Sequence, residues 1–287
     1  MTVFRFRVLK DGSRALKGKI AEAVFNEIRQ EIKQKRSLPW FRSLKAFCST
    51  CDIRHILERR GLNVRSPDNA RNILPAFDKI LKRVNELLNQ LNFEQIPLEE
   101  LRIRLKGSSM GVRCLLCGAL LREPRRKKKS YSITTTFRLF SICDECFNKC
   151  LNMLVKQGDT YVAKERLKEL VDFIDQHREL IALSRYKEAL EVLALMNREE
   201  FAFLQEVYGR GGSGHAPFDY VCVTDDGTKC LIDVTSTTGR TVGPLSERER
   251  EVAKMAKKIG FKILIPKIRF LYPNYWIVEL ELSEPQL

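Results

Sequence analysis

Two cysteine pairs, Cys114-Leu-Leu-Cys117 and Cys143-Asp-Glu-Cys146, constrain the fold more than any other feature of this 287-residue chain. Four thiolates in two CxxC pairs make the closed tetrahedral shell of structural zinc, which clamps both ends of the intervening loop at one point. Gly118 follows the first pair and lets the backbone bend so that its amides face sulfur. The second pair opens a predicted helix, whose free amides and dipole favour negative charge. Cys150, one turn beyond Cys146, is an alternative ligand. A third CxxC, Cys48 and Cys51, shares a predicted helical face with His55. No fourth ligand accompanies it, so core cysteines are the simpler reading there and a second metal the other.

The remaining chemistry of the chain is set by charge. It carries 51 Lys/Arg against 36 Asp/Glu, a net +15. Residues 200–287 hold 11 Lys/Arg against 12 Asp/Glu, so the first 199 hold 40 against 24. A basic module beside a near-neutral one fits a nucleic-acid partner, because Lys and Arg release condensed counterions from phosphates. The densest run is Arg125-Arg126-Lys127-Lys128-Lys129, between the cysteine pairs and followed by Tyr131. A metal-stapled loop of this kind suits phosphate contact without reading sequence. No apolar run approaches the ~18 residues of a membrane helix. The start, Met-Thr-Val-Phe-Arg-Phe-Arg, lacks the apolar stretch of a secretory signal, so cytoplasmic residence and reduced cysteines are the expectation.

Hydrophobic spacing predicts an α+β, multidomain chain. A strand over 3–8 and a helix over 16–34, with Ile20, Val24, Ile28 and Ile32 on one face, come first. Residues 41–106 read as helices: 47–59, then one opened by Ser66-Pro67-Asp68 and continuing through 76–91. This pair has the layout of a helix-turn-helix, which bundles that never touch DNA also share. Residues 158–200 read as charged helix. From Phe201 the pattern turns to strands at 203–208, 218–223 and 229–234, a helix over 247–259, and strands at 262–268 and 275–282. Asp225-Asp226-Gly227 makes 220–234 a hairpin. Three parts result: a mainly helical basic domain over 1–106, a zinc module over 107–157, and a helical connector with an αβ domain over 158–287.

Asp219 and Asp233 stand near the same end of that hairpin. Asp233 follows Leu231-Ile232 and precedes Val234, and a carboxylate in an apolar run is costly unless paired or metal-bound. Two carboxylates and the Val234 carbonyl are hard oxygen ligands suited to Mg²⁺ or Mn²⁺. The glycines of 209–214 do not open a helix and lack a Gly-Lys-Ser/Thr ending, which weakens a nucleotide-binding reading. A flexible loop approaching a DNA backbone, with Arg210 on it, is the better account; His215 is read as a solvent-facing loop residue.

The cysteine module, knuckle then helix, resembles a treble-clef or zinc-ribbon. The stretch Gly209-Arg-Gly-Gly-Ser-Gly-x-x-Pro-Phe-Asp219…Ile-Asp233-Val-Thr235, with the helix and strand after it, resembles the PD-(D/E)xK nuclease superfamily, in phrasing closest to archaeal Holliday-junction resolvases. The resemblance covers roughly residues 180–287. It implies a restriction-endonuclease-like core with a central mixed sheet, metal-dependent cleavage of DNA, and a homodimer. It also implies a glutamate completing the metal site: Glu188, with Glu191 beside it, or Glu22 if residues 36–200 were one large insertion. The family's lysine is absent, and Thr235 stands in its place. A hydroxyl cannot replace a cation, so either Lys254, Lys257 or Lys258 reaches in from the next helix, or the fold binds DNA without cutting it.

Overall fold

The computed structural model describes residues 3–8, 41–45, 65–105, 112–123, 126–127, 129–135, 139–209, 217–233, 235–237, 245–271 and 276–283. For 3–8, 41–45, 122–123, 126–127, 235–237, 266–271 and 276–283 this is the backbone. The expected helices at 16–34 and 47–59, and with them Glu22, Cys48, Cys51 and His55, lie outside these residues. The architecture is α+β, with a mixed sheet, and no described helix is long and apolar enough to cross a membrane. The chain divides into two units, Met1–Ala70 with Glu188–Leu287, and Arg71–Lys187. In chain order the second unit is inserted into the first, rather than following boundaries at 106 and 157.

The inserted unit contains a core of Val84, Leu87, Leu88, Leu101, Leu116, Ile133, Ile142, Leu167, Leu170 and Ile174, each at most 1% exposed. Its first helix, α1 (Pro67–Gln90), starts with proline at its first position, as the sequence predicts. The apolar stripe of α1 is spent on the core, and Asn85 fixes the chain that follows by bonding both the N–H and the C=O of Ile96 (2.8 and 3.0 Å). Helix α2 (Leu98–Leu105) precedes the first cysteine pair. Strands β5 (Ser130–Thr134), β6 (Leu139–Cys143), β7 (Leu154–Gln157) and β8 (Thr160–Ala163) form a sheet in the order β6-β5-β8-β7. Helices α3 (Asp144–Lys149), α4 (Glu165–Gln176) and α5 (Arg178–Leu183) complete the unit. The strand at β8 was not expected within the charged, helical stretch 158–200.

In the other unit a seven-stranded mixed sheet unites both ends of the chain. Its order is β1-β13-β12-β10-β9-β2, with β11 also paired to β12. Here β1 is Val3–Val8, β2 Phe41–Lys45, β9 Tyr220–Thr224, β10 Lys229–Ile232, β11 Thr235–Thr237, β12 Lys262–Leu271 and β13 Trp276–Ser283. The strand at 41–45 lies where the spacing predicts helix; it is an edge strand held by antiparallel pairing with β9. Helix α6 (Lys187–Ala194) enters this unit. Residues 203–208, expected as a strand, belong to α7 (Arg198–Gly209). The reason is a reciprocal cap: the Asn197 amide donates to Glu200 Oε2 and the Glu200 amide to Asn197 Oδ1, both at 2.8 Å.

Pairing of β10 and β11 with β12 is parallel, and α8 (Glu247–Lys258) supplies the crossover such a pair requires. Helix α8 opens on a capping box: Ser246 Oγ accepts from the Glu249 amide (3.3 Å), and the Ser246 amide donates to Glu249 Oε2 (2.6 Å). Val252, Ala253 and Ala256 are its buried face. Strands β9 and β10 meet through a three-residue turn in which Gly227, at φ +81°, takes the left-handed position that a side chain resists.

Candidate metal centres

The knuckle of the first cysteine pair is built by backbone. The Gly118 amide donates to Cys114 O (3.0 Å), and the Cys114 amide to Ala119 O (2.8 Å). Gly118 adopts φ +74°, and a Cβ there would lie 2.6 Å from Glu100 Oε1 and 2.9 Å from an Arg104 nitrogen. Arg104, on α2, closes the turn from behind. Its guanidinium donates to Leu115 O (3.1 Å) and Leu116 O (2.7 Å) while paired with Glu100 at 3.1 Å. The Leu115 amide docks the knuckle on β6 through Ser141 O (2.9 Å).

The second pair caps α3. Cys143 is the N-cap residue, and its Sγ accepts from the Cys146 amide at 3.4 Å. All four sulfurs, of Cys114, Cys117, Cys143 and Cys146, lie within 4.8 Å of one another, and Cys117 and Cys143 are 3.6 Å apart. Tetrahedral zinc with Zn–S bonds of about 2.3 Å needs sulfurs about 3.8 Å apart, so this cluster can hold such a metal. Its charges agree. The Cys114 thiol is lowered to about 5, chiefly by the Cys146 thiol hydrogen-bonding to it, with the amides of Cys117, Cys143 and Leu116 adding against the cost of burial. Cys146 is pushed upward by that same contact, and Cys117 up to about 11 by burial first and by the Cys114 charge. The contacts of the cluster favour the thiolate at Cys114, and a divalent cation in the shell would stabilise negative sulfur throughout it. Cys150 is buried beyond the cluster and is not one of its four sulfurs.

The basic segment begins as a backbone ribbon, β3 (Arg122–Glu123) paired antiparallel with β4 (Arg126–Lys127). Arg125 and Lys128 lie outside the described residues. Lys129 and Tyr131 are committed within the protein. Lys129 pairs with Asp144 at 3.2 Å, the Tyr131 hydroxyl donates to the same carboxylate at 2.8 Å, and the Tyr131 ring stacks on Phe147 with centroids 3.7 Å apart. Tyr131 therefore supports the module's core.

The structure brings Asp219 and Asp233 together. The last ladder pair of β9 and β10 joins Tyr220 to Ile232, and one step beyond stand the two aspartates. The Asp233 amide donates sideways to Leu264 O at 3.2 Å, so it points away from β9. That places the aspartates in the non-hydrogen-bonded kind of antiparallel pair, where Cα atoms approach to about 4.5 Å and side chains lie closest. Their carboxyls hydrogen-bond, and Asp233 is pushed up to about 7 by burial first, then by the charges of Asp219 and Glu249.

The second carboxylate acting on Asp233 is Glu249 of α8, which the sequence did not mark out. Glu188 lies half-buried on α6, and Glu191 on the same helix. Thr235 continues the line of Asp233 along β12, two residues on, on the same face of the sheet. Lys254, Lys257 and Lys258 are exposed, opposite the buried face of α8. A different lysine stands in register: Lys267 of β12 pairs with Thr235 and so shares its face. Next to Lys267 in register is Glu281 of β13. Arg210, His215 and Val234 lie outside the described residues. No protein-family model, curated protein or solved structure matches the chain.

Proposed function

We propose that this protein is a metal-dependent DNA endonuclease with a restriction-endonuclease-like core and a zinc-stapled, basic inserted unit that grips the substrate. The reading rests on one observation, the Asp219–Asp233 pair. Two apposed carboxylates at a strand end, one of them pushed up to about 7 by burial first and then by the charges of the other and of Glu249, are a site that a hard cation relieves. In this reading Mg²⁺ or Mn²⁺ bound there activates a water and steadies the phosphate as the phosphodiester breaks. Lys267 takes the place of the absent lysine at 235. The third acid is Glu188 or Glu22. Glu22 is supported by chain order alone: Met1–Ala70 is grouped with Glu188–Leu287, and the interruption runs over 71–187, shorter than the 36–200 that this alternative calls for. The excess of cations in residues 1–199 supplies the grip, and zinc at Cys114, Cys117, Cys143 and Cys146 is structural.

The second reading, a DNA-binding protein that has lost cleavage, is favoured by Thr235 itself. One assay separates them: supercoiled, linear and four-way DNA incubated with Mg²⁺ or Mn²⁺. The nuclease reading expects cleavage by the wild type that Asp233→Asn abolishes while binding persists. Salt-sensitive binding without cleavage establishes the second reading. Cleavage that survives Asp233→Asn removes the site.

A further inference from the structure

One polar atom beside the acid pair has no partner. Tyr208 lies in the last turn of α7, and its ring is half-buried while its hydroxyl is sealed from solvent and makes no hydrogen bond. The Phe218 backbone approaches it without completing one. After burial, the groups whose charge acts on this hydroxyl are Asp219 first, then Asp233, then the Cys222 thiol. Buried tyrosine hydroxyls normally find a partner, and one that no protein atom supplies is free to bond a water or a water held on an ion. A group that bonded this hydroxyl would have the two carboxylates near it. An apolar ligand is excluded by the carboxylates and an anion is repelled by them. A hydrated divalent cation satisfies all three, because magnesium-like ions bound by one or two carboxylates keep several waters.

We propose that Tyr208 is a positioning residue of a cation site at Asp219 and Asp233, its hydroxyl hydrogen-bonding to a water on the bound ion. This rests on the same acid pair as the proposed activity and adds a group outside the resemblance. The carboxylates bind the ion directly. The tyrosine orients one of its waters and fixes the ion's position from the α7 side. Phenylalanine at 208 would keep the packing and remove only the hydroxyl.

The test uses the full chain, zinc-loaded and never exposed to chelator, titrated with Mg²⁺ alone. Wild type is expected to bind saturably and to gain thermal stability as Mg²⁺ rises. Tyr208→Phe is expected to bind Mg²⁺ about tenfold more weakly, the loss typical of an outer-shell partner. Its Mg²⁺-free melting temperature should equal or exceed that of wild type, since the variant deletes an unsatisfied hydroxyl. That opposition of sign is a signature no packing role produces. Unchanged Mg²⁺ affinity in Tyr208→Phe, with or without a lower melting temperature, overturns the role of Tyr208 and leaves the acid pair standing. Unchanged affinity in Asp233→Asn, or no Mg²⁺ binding by wild type, overturns the cation site itself and the tyrosine's role with it.

Discussion

At the scale of single residues, Asp233 carries the most specific chemistry. Its folded pKa, about 7, lies above the ordinary carboxylate value near 3.8, so the folded state holds a proton that the unfolded chain releases. Below about pH 4 both states are protonated and Asp233 costs nothing. As pH rises from there through 7, stability is lost, by an upper bound of about 4 kcal/mol. Without Mg²⁺, the melting temperature should therefore fall between pH 5 and 8, and Asp233→Asn should flatten that fall. A fall of equal size in the variant would mean that another group causes it. With Mg²⁺ the order reverses, because the ion displaces the proton. Binding should strengthen with pH up to about 7 and release about one proton per ion below it, which calorimetry in buffers of different ionisation enthalpy reads directly. Lys267 makes a second prediction at this scale. If it serves the reaction in place of Thr235, Lys267→Ala should slow single-turnover cleavage about 100-fold or more with DNA affinity changed little. A matching loss of affinity with intact turnover would make it a binding residue.

Among elements, the cysteine knuckle shows how much support a four-sulfur shell needs. Arg104 is largely buried, ties two knuckle carbonyls to α2, and holds Glu100 against Gly118. Arg104→Ala should destabilise the inserted unit by about 2–3 kcal/mol, since charged hydrogen bonds are lost and carbonyls exposed. Zinc release to a chromogenic chelator should quicken accordingly. Lys at 104 should rescue little, because one ammonium cannot reproduce a fork that spans Leu115, Leu116 and Glu100. The elements also mark where local sequence is informative. The β9–β10 hairpin was legible because Asp225-Asp226-Gly227 permits few other turns, and α8 because its apolar residues, Val252, Ala253 and Ala256, recur at helical spacing. The cysteine cluster was legible from spacing alone. Helix α7 was misread because Phe201 and Phe203 alternate like a strand, although Asn197 and Glu200 carry the capping signal. Strand β2 was missed because its five residues have no strong pattern and are ordered by a partner nearly 180 positions away. Nothing in the local sequence ties Glu249 or Tyr208 to Asp233: only folding brings their charges and dipoles within its reach.

For the molecule as a whole, the decisive fact is that the sheet is assembled from both ends of the chain. Strand β13 is covered on one side by β12 and on the other by β1, and β9 is covered by β10 and by β2. A fragment of residues 188–287 would keep β9 to β13 yet bare the flank of β13, eight residues long, and the flank of β9. Unpaired strand edges of that length recruit other chains. The fragment should therefore be insoluble or form soluble aggregates, and co-expression with residues 1–64 should restore a monodisperse species by supplying β1 and β2. The inserted unit makes the opposite prediction. Its core is its own, its sheet closes within it, and its four sulfurs lie in one segment, so residues 66–187 should fold alone with about one zinc per chain and unfold when a chelator removes it. Size-exclusion chromatography and far-UV circular dichroism of the two fragments decide both points. A well-behaved 188–287 fragment would show that β1 and β2 are dispensable additions, and residues 1–70, Glu22 among them, would then have no necessary part in the unit that holds Asp219 and Asp233.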